Sequence, residues 1–259
     1  MENEPFIKKY DIMFMVKNML INDIEVHYER YNEEAGNTLV FLHGWGQNIE
    51  MMMPVAKPFI QNHDIILLDL PGFGKSGDLK EPWEVEDYVE LLHHLLNNLQ
   101  VKKPTLIGHS YGGKISLLYA SKYEVEKLVL FGSPFKKEIQ KENLKLKTLK
   151  VLKKVPGLNK FEEFAKKHIG STDYRNASPI LRETLVKTVN LDITEEVKKI
   201  KAPTLLIWGT NDEAVSIERA YELEKLIPDA GLVVYENATH YAYLENLGQT
   251  INVLKSFLN

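Results

Sequence analysis

The chain has 259 residues, of which 44% are hydrophobic and 26% charged, a balance typical of a globular protein that buries a large core. It has no cysteine, which excludes a disulfide framework, a thiolate nucleophile and a thiolate metal site. No apolar run reaches the length of a membrane span, and the acidic amino end lacks the basic-then-apolar order of a secretory signal. We therefore expect a cytoplasmic protein.

Apolar runs of strand length alternate with amphipathic runs of helix length along most of the chain. The predicted strands cover residues 24–31, 38–42, 65–68, 105–107, 127–131, 204–208 and 232–235. The predicted helices cover residues 50–60, 84–99, 112–121, 217–227 and 247–258. This alternation predicts an α/β fold, with a mostly parallel sheet covered by helices on both faces.

The alternation stops between Ser133 and about Glu195, where only helical patterns are found, over residues 142–155, 160–168 and 178–189. We therefore predict an α/β core formed by residues 1–134 and 196–259. A helical insertion, residues 135–195, interrupts it.

Charge is distributed unevenly along the chain. The net charge is −4, yet residues 136–167 contain 11 Lys and 4 Glu, a net of +7 that leaves −11 for the rest. A lysine-rich helical face is commonly just solvated. The alternative is that this segment docks an acidic partner, such as an acyl carrier protein or an anionic membrane surface.

Residues 108–113, Gly-His-Ser-Tyr-Gly-Gly, directly follow a predicted strand and open a predicted helix. A Gly-x-Ser-x-Gly string in this context predicts a nucleophile elbow, a tight turn on which the serine hydroxyl stands clear of the sheet. Glycines at the neighbouring positions leave room for such a turn. Ser110 is therefore the candidate nucleophile.

Serine needs a base that removes its proton, and a histidine base needs an acid that orients it. Asp212 lies just beyond the predicted strand 204–208, and His240 just beyond the strand 232–235. The carboxyl ends of parallel strands open on one edge of a sheet, so both side chains are expected near Ser110. Asp212 is the predicted acid, with its neighbour Glu213 the weaker candidate.

A serine hydrolase also needs backbone N–H groups that bind the oxyanion of the tetrahedral intermediate. The N–H of Tyr111, directly after the nucleophile, is one candidate donor. The second is expected from His43-Gly44-Trp45-Gly46, the loop after the strand 38–42, where Trp45 is favoured over Gly46. This chemistry requires neither a cofactor nor a metal.

These motifs together resemble the α/β-hydrolase superfamily with a helical cap, over essentially the whole chain. The matching segments are His43-Gly-Trp-Gly46, Asp69-Leu-Pro-Gly-Phe-Gly-Lys-Ser76, Gly108-His-Ser-Tyr-Gly-Gly113, Trp208-Gly-Thr-Asn-Asp212 and His240. The resemblance implies that residues 135–195 form a cap over the active site. It also implies the chain order serine, aspartate, histidine that is found here.

The resemblance suggests a carboxylesterase that cleaves a small or medium-chain ester, with some similarity to pimeloyl-acyl-carrier-protein methyl ester esterases. Those enzymes typically have Trp-Ser-Leu at the elbow, where this chain has His109-Ser110-Tyr111. A carbon–carbon bond hydrolase or a lactonase of the same fold is the alternative, as is a non-catalytic ligand receptor that keeps the triad. The intact triad and both candidate oxyanion donors favour catalysis over a receptor role, whereas the acyl and alcohol groups of the substrate cannot be read from the sequence.

Gly72-Phe-Gly-Lys-Ser-Gly77 formally fits the dinucleotide-binding pattern, and Gly74-Lys75-Ser76 mimics the end of a phosphate-binding loop. The first pattern requires a helix to open at once, which Pro82 delays, and Asp69 occupies the place of the first glycine of the second pattern. We therefore expect no nucleotide, and no nucleic acid, as a partner.

Overall fold

The computed structural model describes residues 14–138 and 177–259. Its strands are β1 (Phe14–Ile21), β2 (Ile24–Tyr31), β3 (Thr38–Leu42), β4 (Asp64–Leu68), β5 (Thr105–His109), β6 (Leu128–Phe131), β7 (Thr204–Gly209) and β8 (Ala230–Tyr235). Its α-helices are α1 (Ile49–Ala56), α2 (Val85–Asn98), α3 (Tyr111–Lys122), α4 (Pro179–Asn190), α5 (Thr194–Val197), α6 (Ile217–Leu226), α7 (Ala242–Glu245) and α8 (Leu247–Leu258). Short 3-10 turns cover Glu33–Ala35 and Lys57–Phe59.

The described strands form one sheet in the order β1-β2-β4-β3-β5-β6-β7-β8. The β1–β2 and β2–β4 pairs are antiparallel, and the pairs from β4 to β8 are parallel. The predicted α/β fold with a mostly parallel sheet is confirmed. The seven predicted strands end within two residues of the observed ones.

The sheet has an eighth strand, β1, which the sequence analysis did not predict. It forms a hairpin with β2 through Asn22 and Asp23, which adopt φ values of 50° and 60°. Asn and Asp tolerate this left-handed conformation, which suits a two-residue hairpin turn. β1 lies at the edge of the sheet, where even an apolar side chain such as Leu20 is 72% exposed. Apolar and polar residues of β1 therefore do not alternate between core and solvent. The turn residues were the one local signal for it.

Alternate residues of the central strands pack on opposite faces of the sheet. In β3, Val40 and Leu42 join the core cluster that includes residues of α2 and α3, whereas Leu39 and Phe41 join the cluster under α1 and α8. Near-continuous burial along these strands is what a parallel sheet covered on both faces requires. The two layers hold the strand ends rigidly, and the loops after β3, β5, β6, β7 and β8 open on one edge.

Helix α4, from the predicted insertion, is fastened to the core by buried polar groups. The Oγ1 of Thr184 accepts a hydrogen bond from the backbone N–H of Trp83 (3.0 Å). The Nζ of Lys114, on α3, donates to the carbonyls of Thr188 (2.7 Å) and Leu191 (2.6 Å) at the end of α4. A cation at this end of a helix satisfies carbonyls that lack partners within the helix.

The predicted helices 142–155 and 160–168 lie outside the described residues, as does most of the lysine-rich segment. The division into a core of residues 1–134 and 196–259 and an insertion of residues 135–195 therefore stays a prediction. Within the described ranges, no helix is both long and apolar enough to span a bilayer.

We expect Lys114 to make the free energy of unfolding change with pH in the alkaline range. Burial lowers the pKa of Lys114 to about 8 from 10.5, against the opposing charges of Asp192 and Glu86. Between these pH values the unfolded chain binds a proton that the folded chain does not, so the free energy of unfolding rises with pH through this window, by up to roughly 3 kcal/mol. Urea unfolding of the wild type and of Lys114→Met at pH 7.5 and pH 10 measures this contribution. An equal pH response of both proteins would contradict it.

Candidate functional site

Ser110 lies on a strained turn between β5 and α3. Its φ of 50° and ψ of −110° are unusual for a residue with a side chain. Its N–H donates to the carbonyl of Phe131 at the end of β6 (2.9 Å). A Cβ on Gly108 would lie 2.6 Å from the carbonyl oxygen of Gly112, so glycine is required where the end of β5 approaches the start of α3 this closely. The half-buried Ser110 thus has the backbone expected of an elbow.

Asp212 and His240 are hydrogen-bonded to each other at the ends of β7 and β8. The Oδ2 of Asp212 lies 2.8 Å from the Nδ1 of His240, and the two side chains are 1% and 16% exposed. The carboxylate accepts, so Nδ1 carries the ring proton and Nε2 keeps a lone pair able to take another. Glu213, the weaker candidate acid, is exposed to solvent.

The orientation of the Asp212 carboxylate is fixed by the turn that follows it. Its Oδ1 accepts from the N–H of Ala214 (2.9 Å) and the N–H of Val215 (2.8 Å). Only Oδ2 is then available for His240. Backbone donors therefore set the acid in place independently of the histidine.

Ser110, Asp212 and His240 all lie at carboxyl ends of strands in the half-sheet β5-β6-β7-β8. Within the described residues no hydrogen bond joins the Ser110 hydroxyl to His240, a contact that commonly shortens only when substrate is bound. The sequence placed these three residues at one sheet edge, and they lie there. Their catalytic roles stay a prediction.

Gly132, directly after β6, lies against the Asp212–His240 pair. Its φ is 51°, and a Cβ there would lie 2.9 Å from the Nδ1 of His240 and 3.1 Å from the Oδ2 of Asp212. A side chain would thus press on the hydrogen bond itself.

We expect Gly132→Ala to lower kcat at least about tenfold by displacing His240. The matched control is Gly36→Ala, because Gly36 also has a positive φ (86°) but nothing within 4 Å of its Cβ position. Both variants strain the backbone, by about 1 kcal/mol, so Gly36→Ala accounts for this strain, and only Gly132→Ala also presses on His240. Ester hydrolysis and thermal melts on both check this, and an equal kcat in the two variants would refute it.

The loop after β3 is held beside the elbow by His43. The buried His43 accepts the N–H of Leu70 at Nε2 (2.9 Å), so its Nδ1 carries the proton and donates to the carbonyl of Gly44 (2.7 Å). Burial lowers the pKa of His43 to about 4, which keeps the ring neutral. The carbonyl of His43 in turn accepts the N–H of Gly112 from α3 (3.1 Å).

Fixing the Gly44 carbonyl also fixes the N–H of Trp45, because both belong to one planar trans peptide and point in opposite directions. The Trp45 ring packs on Tyr111, with centroids 5.1 Å apart. Among residues 14–138 and 177–259, no hydrogen bond uses the N–H of Trp45 or of Tyr111. Both candidate donors are thus available, and their role as an oxyanion hole stays a prediction.

Asp69 organises the loop that mimics a nucleotide motif. Its Oδ1 accepts the N–H of Ile49 at the start of α1, and its Oδ2 the N–H of Lys75, each at 2.8 Å. The buried carboxylate thus occupies one of the loop's own N–H groups and ties the loop to the start of α1. The sequence motif contained Asp69, but only the structure gives this structural role.

Three further polar residues near the site went unassigned in the sequence: Gln47, His109 and Lys114. Each makes at least one hydrogen bond to a group far away along the chain, and no local pattern indicates that distant partner. As for metal ions, no cluster of three His, Asp or Glu side chains suited to hold one occurs in the described ranges.

The family model described as alpha/beta hydrolase fold matches residues 37–143 and 141–247, most of the chain. Proline iminopeptidase from Saccharolobus solfataricus is 26% identical, over 98% of this chain and 95% of that protein. Lipase 1 from Psychrobacter immobilis is 28% identical, over 96% and 85%. Pimeloyl-[acyl-carrier protein] methyl ester esterase from Aliivibrio fischeri is 24% identical, over 88% and 95%. The relatives thus share a fold and hydrolytic names, with different substrates.

Proposed function

Because this chain belongs to the alpha/beta hydrolase fold family, we propose that it is a serine hydrolase that cleaves a small or medium-chain carboxylic ester through an acyl-enzyme. The observation that carries the proposal is the Asp212–His240 hydrogen bond of 2.8 Å at the same sheet edge as the strained Ser110 turn. A buried carboxylate behind a histidine is the arrangement that makes a serine hydroxyl nucleophilic.

In the proposed reaction, the Oγ of Ser110 attacks the ester carbonyl carbon while the Nε2 of His240 takes the hydroxyl proton. The N–H groups of Trp45 and Tyr111 bind the resulting oxyanion. As the tetrahedral intermediate collapses, the carbon–oxygen bond to the alcohol breaks and His240 delivers its proton to the leaving alkoxide. Asp212 stabilises the transient imidazolium.

Water completes the cycle. His240 removes a proton from a water molecule that attacks the acyl-serine carbonyl. The second tetrahedral intermediate then collapses, and the proton returns to the Oγ of Ser110 as the acid is released.

The ester preference is supported by the names of two relatives, a lipase and a methyl ester esterase. An iminopeptidase among the relatives means that the family name alone does not decide between ester and amide. The proposal is therefore tested on substrate as well as on mechanism.

The test is hydrolysis of p-nitrophenyl esters from acetyl to dodecanoyl by the wild type, Ser110→Ala and Ser121→Ala. Ser121 is the matched control, because it lies on α3 and its hydroxyl donates to the carbonyl of Leu118 (2.7 Å), its one hydrogen bond within the described residues. We expect turnover by the wild type and Ser121→Ala, with an optimum at short or medium chains, and none by Ser110→Ala. Inactivity of the wild type on every ester would reject the esterase, and equal activity of Ser110→Ala would reject the serine mechanism.

We further propose that an acidic partner, such as an acyl carrier protein, docks on the lysine-rich segment 136–167. Its support is the charge of this segment and the name of the methyl ester esterase relative. Hydrolysis of a carrier-linked ester should then fall steeply with salt, while that of a free ester does not. Equal salt dependence for both substrates would contradict docking.

A further inference from the structure

Gln47 binds both sides of Gly44 in the loop that carries Trp45. Its Oε1 accepts the N–H of Gly44 (3.0 Å), and its own N–H donates to the carbonyl of Gly44 (3.2 Å). These groups belong to the two peptide planes that flank Gly44. Because a glycine has wide conformational freedom, anchoring both planes determines where the N–H of Trp45 points.

Gln47 also reaches the residues around His240. Its Nε2 donates to the hydroxyl of Tyr241 (3.1 Å), and its Oε1 lies 3.2 Å from the Nδ1 of His109. The Nε2 of His109 lies 3.1 Å from the backbone carbonyl of His240. One side chain therefore connects the loop after β3 with the loop after β8.

The orientation of the Gln47 amide follows from these partners. Only the oxygen can face the N–H of Gly44, so the oxygen also faces His109. His109 is fully buried, and burial lowers its pKa well below the usual range. The neutral ring has one proton for two acceptors, Gln47 and the carbonyl of His240, and bonds one of them at a time.

We propose that Gln47 is a positioning residue: its side chain holds the N–H of Gly44, which fixes the peptide before the Gly44–Trp45 peptide so that the N–H of Trp45 faces the oxyanion. Through the hydroxyl of Tyr241, the same side chain ties this loop to that of His240. The inference rests on the proposed serine hydrolase function. Gln47 should therefore stabilise the transition state, in which the oxyanion exists, and should change the binding of the ester itself little.

The test compares Gln47→Met with Gln47→Glu. Methionine has a similar length but no acceptor for the N–H of Gly44, whereas glutamate keeps an acceptor oxygen in that place. We expect Gln47→Met to lower kcat at least about tenfold with KM within about twofold, because a misplaced oxyanion donor weakens only the transition state. Gln47→Glu should stay within about threefold of the wild type, and Gln61→Met, at an exposed site, should be unchanged.

If Gln47 served only to fill space, both variants would keep the kcat of the wild type, because methionine and glutamate are similar to glutamine in size. A kcat of Gln47→Met within about twofold of the wild type would overturn the proposal, as would a fall in Gln47→Glu as large as that in Gln47→Met. Thermal melts of each variant ensure that folded proteins are compared.

A second readout separates this inference from the proposed function. A fluorophosphonate reacts with an activated serine, and its transition state uses the same oxyanion donors. Mass spectrometry measures the labelling of Ser110 over time. We expect fast labelling in the wild type and at least tenfold slower labelling in Gln47→Met. Equal labelling rates would overturn the role of Gln47 while leaving the serine hydrolase intact. An unlabelled wild type would reject the proposed function and, with it, the inference.

Discussion

Replacing Asp212 with asparagine is expected to lower kcat by about 10³- to 10⁴-fold while the fold and the position of the side chain are kept. The N–H groups of Ala214 and Val215 both donate to Oδ1, so the amide oxygen of asparagine must occupy that place. Its NH2 group then faces the Nδ1 of His240 in place of Oδ2. A donor there forces Nδ1 to accept and moves the ring proton to Nε2, where it blocks proton removal from Ser110.

The measurement is steady-state hydrolysis of the best p-nitrophenyl ester, with thermal melts to check folding. Glu213→Gln is the matched control, because it makes the same chemical change on the adjacent, exposed carboxylate. We expect Glu213→Gln to keep wild-type kcat. A large fall in Glu213→Gln with little change in Asp212→Asn would assign the acid to the other residue.

Replacing Ser110 with glycine is expected to abolish turnover and to stabilise the protein. The φ of 50° and ψ of −110° at Ser110 are accessible to glycine but strained for a residue with a Cβ. Relief of such strain offsets the larger entropy that glycine loses on folding, leaving a gain of about 1 kcal/mol in the free energy of unfolding. Loss of the hydroxyl removes the nucleophile altogether.

Ser110→Ala separates the two effects, because it removes the hydroxyl and keeps the strain. Urea unfolding should rank Ser110→Gly as more stable than Ser110→Ala and the wild type, with both variants inactive. A glycine variant no more stable than the alanine variant would show that the turn stores no strain.

Much of the fold was predictable because the signals for it are local. The strand β3 was predicted with its observed ends, Thr38–Leu42, since a continuous apolar run bounded by polar and glycine residues is itself the pattern of a buried parallel strand. The positions of Ser110, Asp212 and His240 also followed from local rules. Each lies in the loop or turn that follows such a run, and parallel strands end at one edge.

What the sequence did not indicate depends on distant partners. β1 is stabilised by pairing with β2, and its own pattern does not reveal which side faces the core. Gln47 and His109 contact Tyr241 and the backbone of His240, and these contacts form only where the loops after β3, β5 and β8 meet at one edge of the sheet. No pattern around Lys114 indicates its partners, because they lie 74 and 77 residues further along the chain, at the end of α4.

The most direct measurement of the central claim, that Ser110 forms a covalent acyl intermediate, is acid quenching of the enzyme during turnover of a p-nitrophenyl ester, followed by peptide mass spectrometry. We expect an acyl group on the peptide that contains Ser110. It should form together with a burst of p-nitrophenol. Turnover with no adduct on Ser110, or with the acyl group on another residue, would contradict the proposed mechanism.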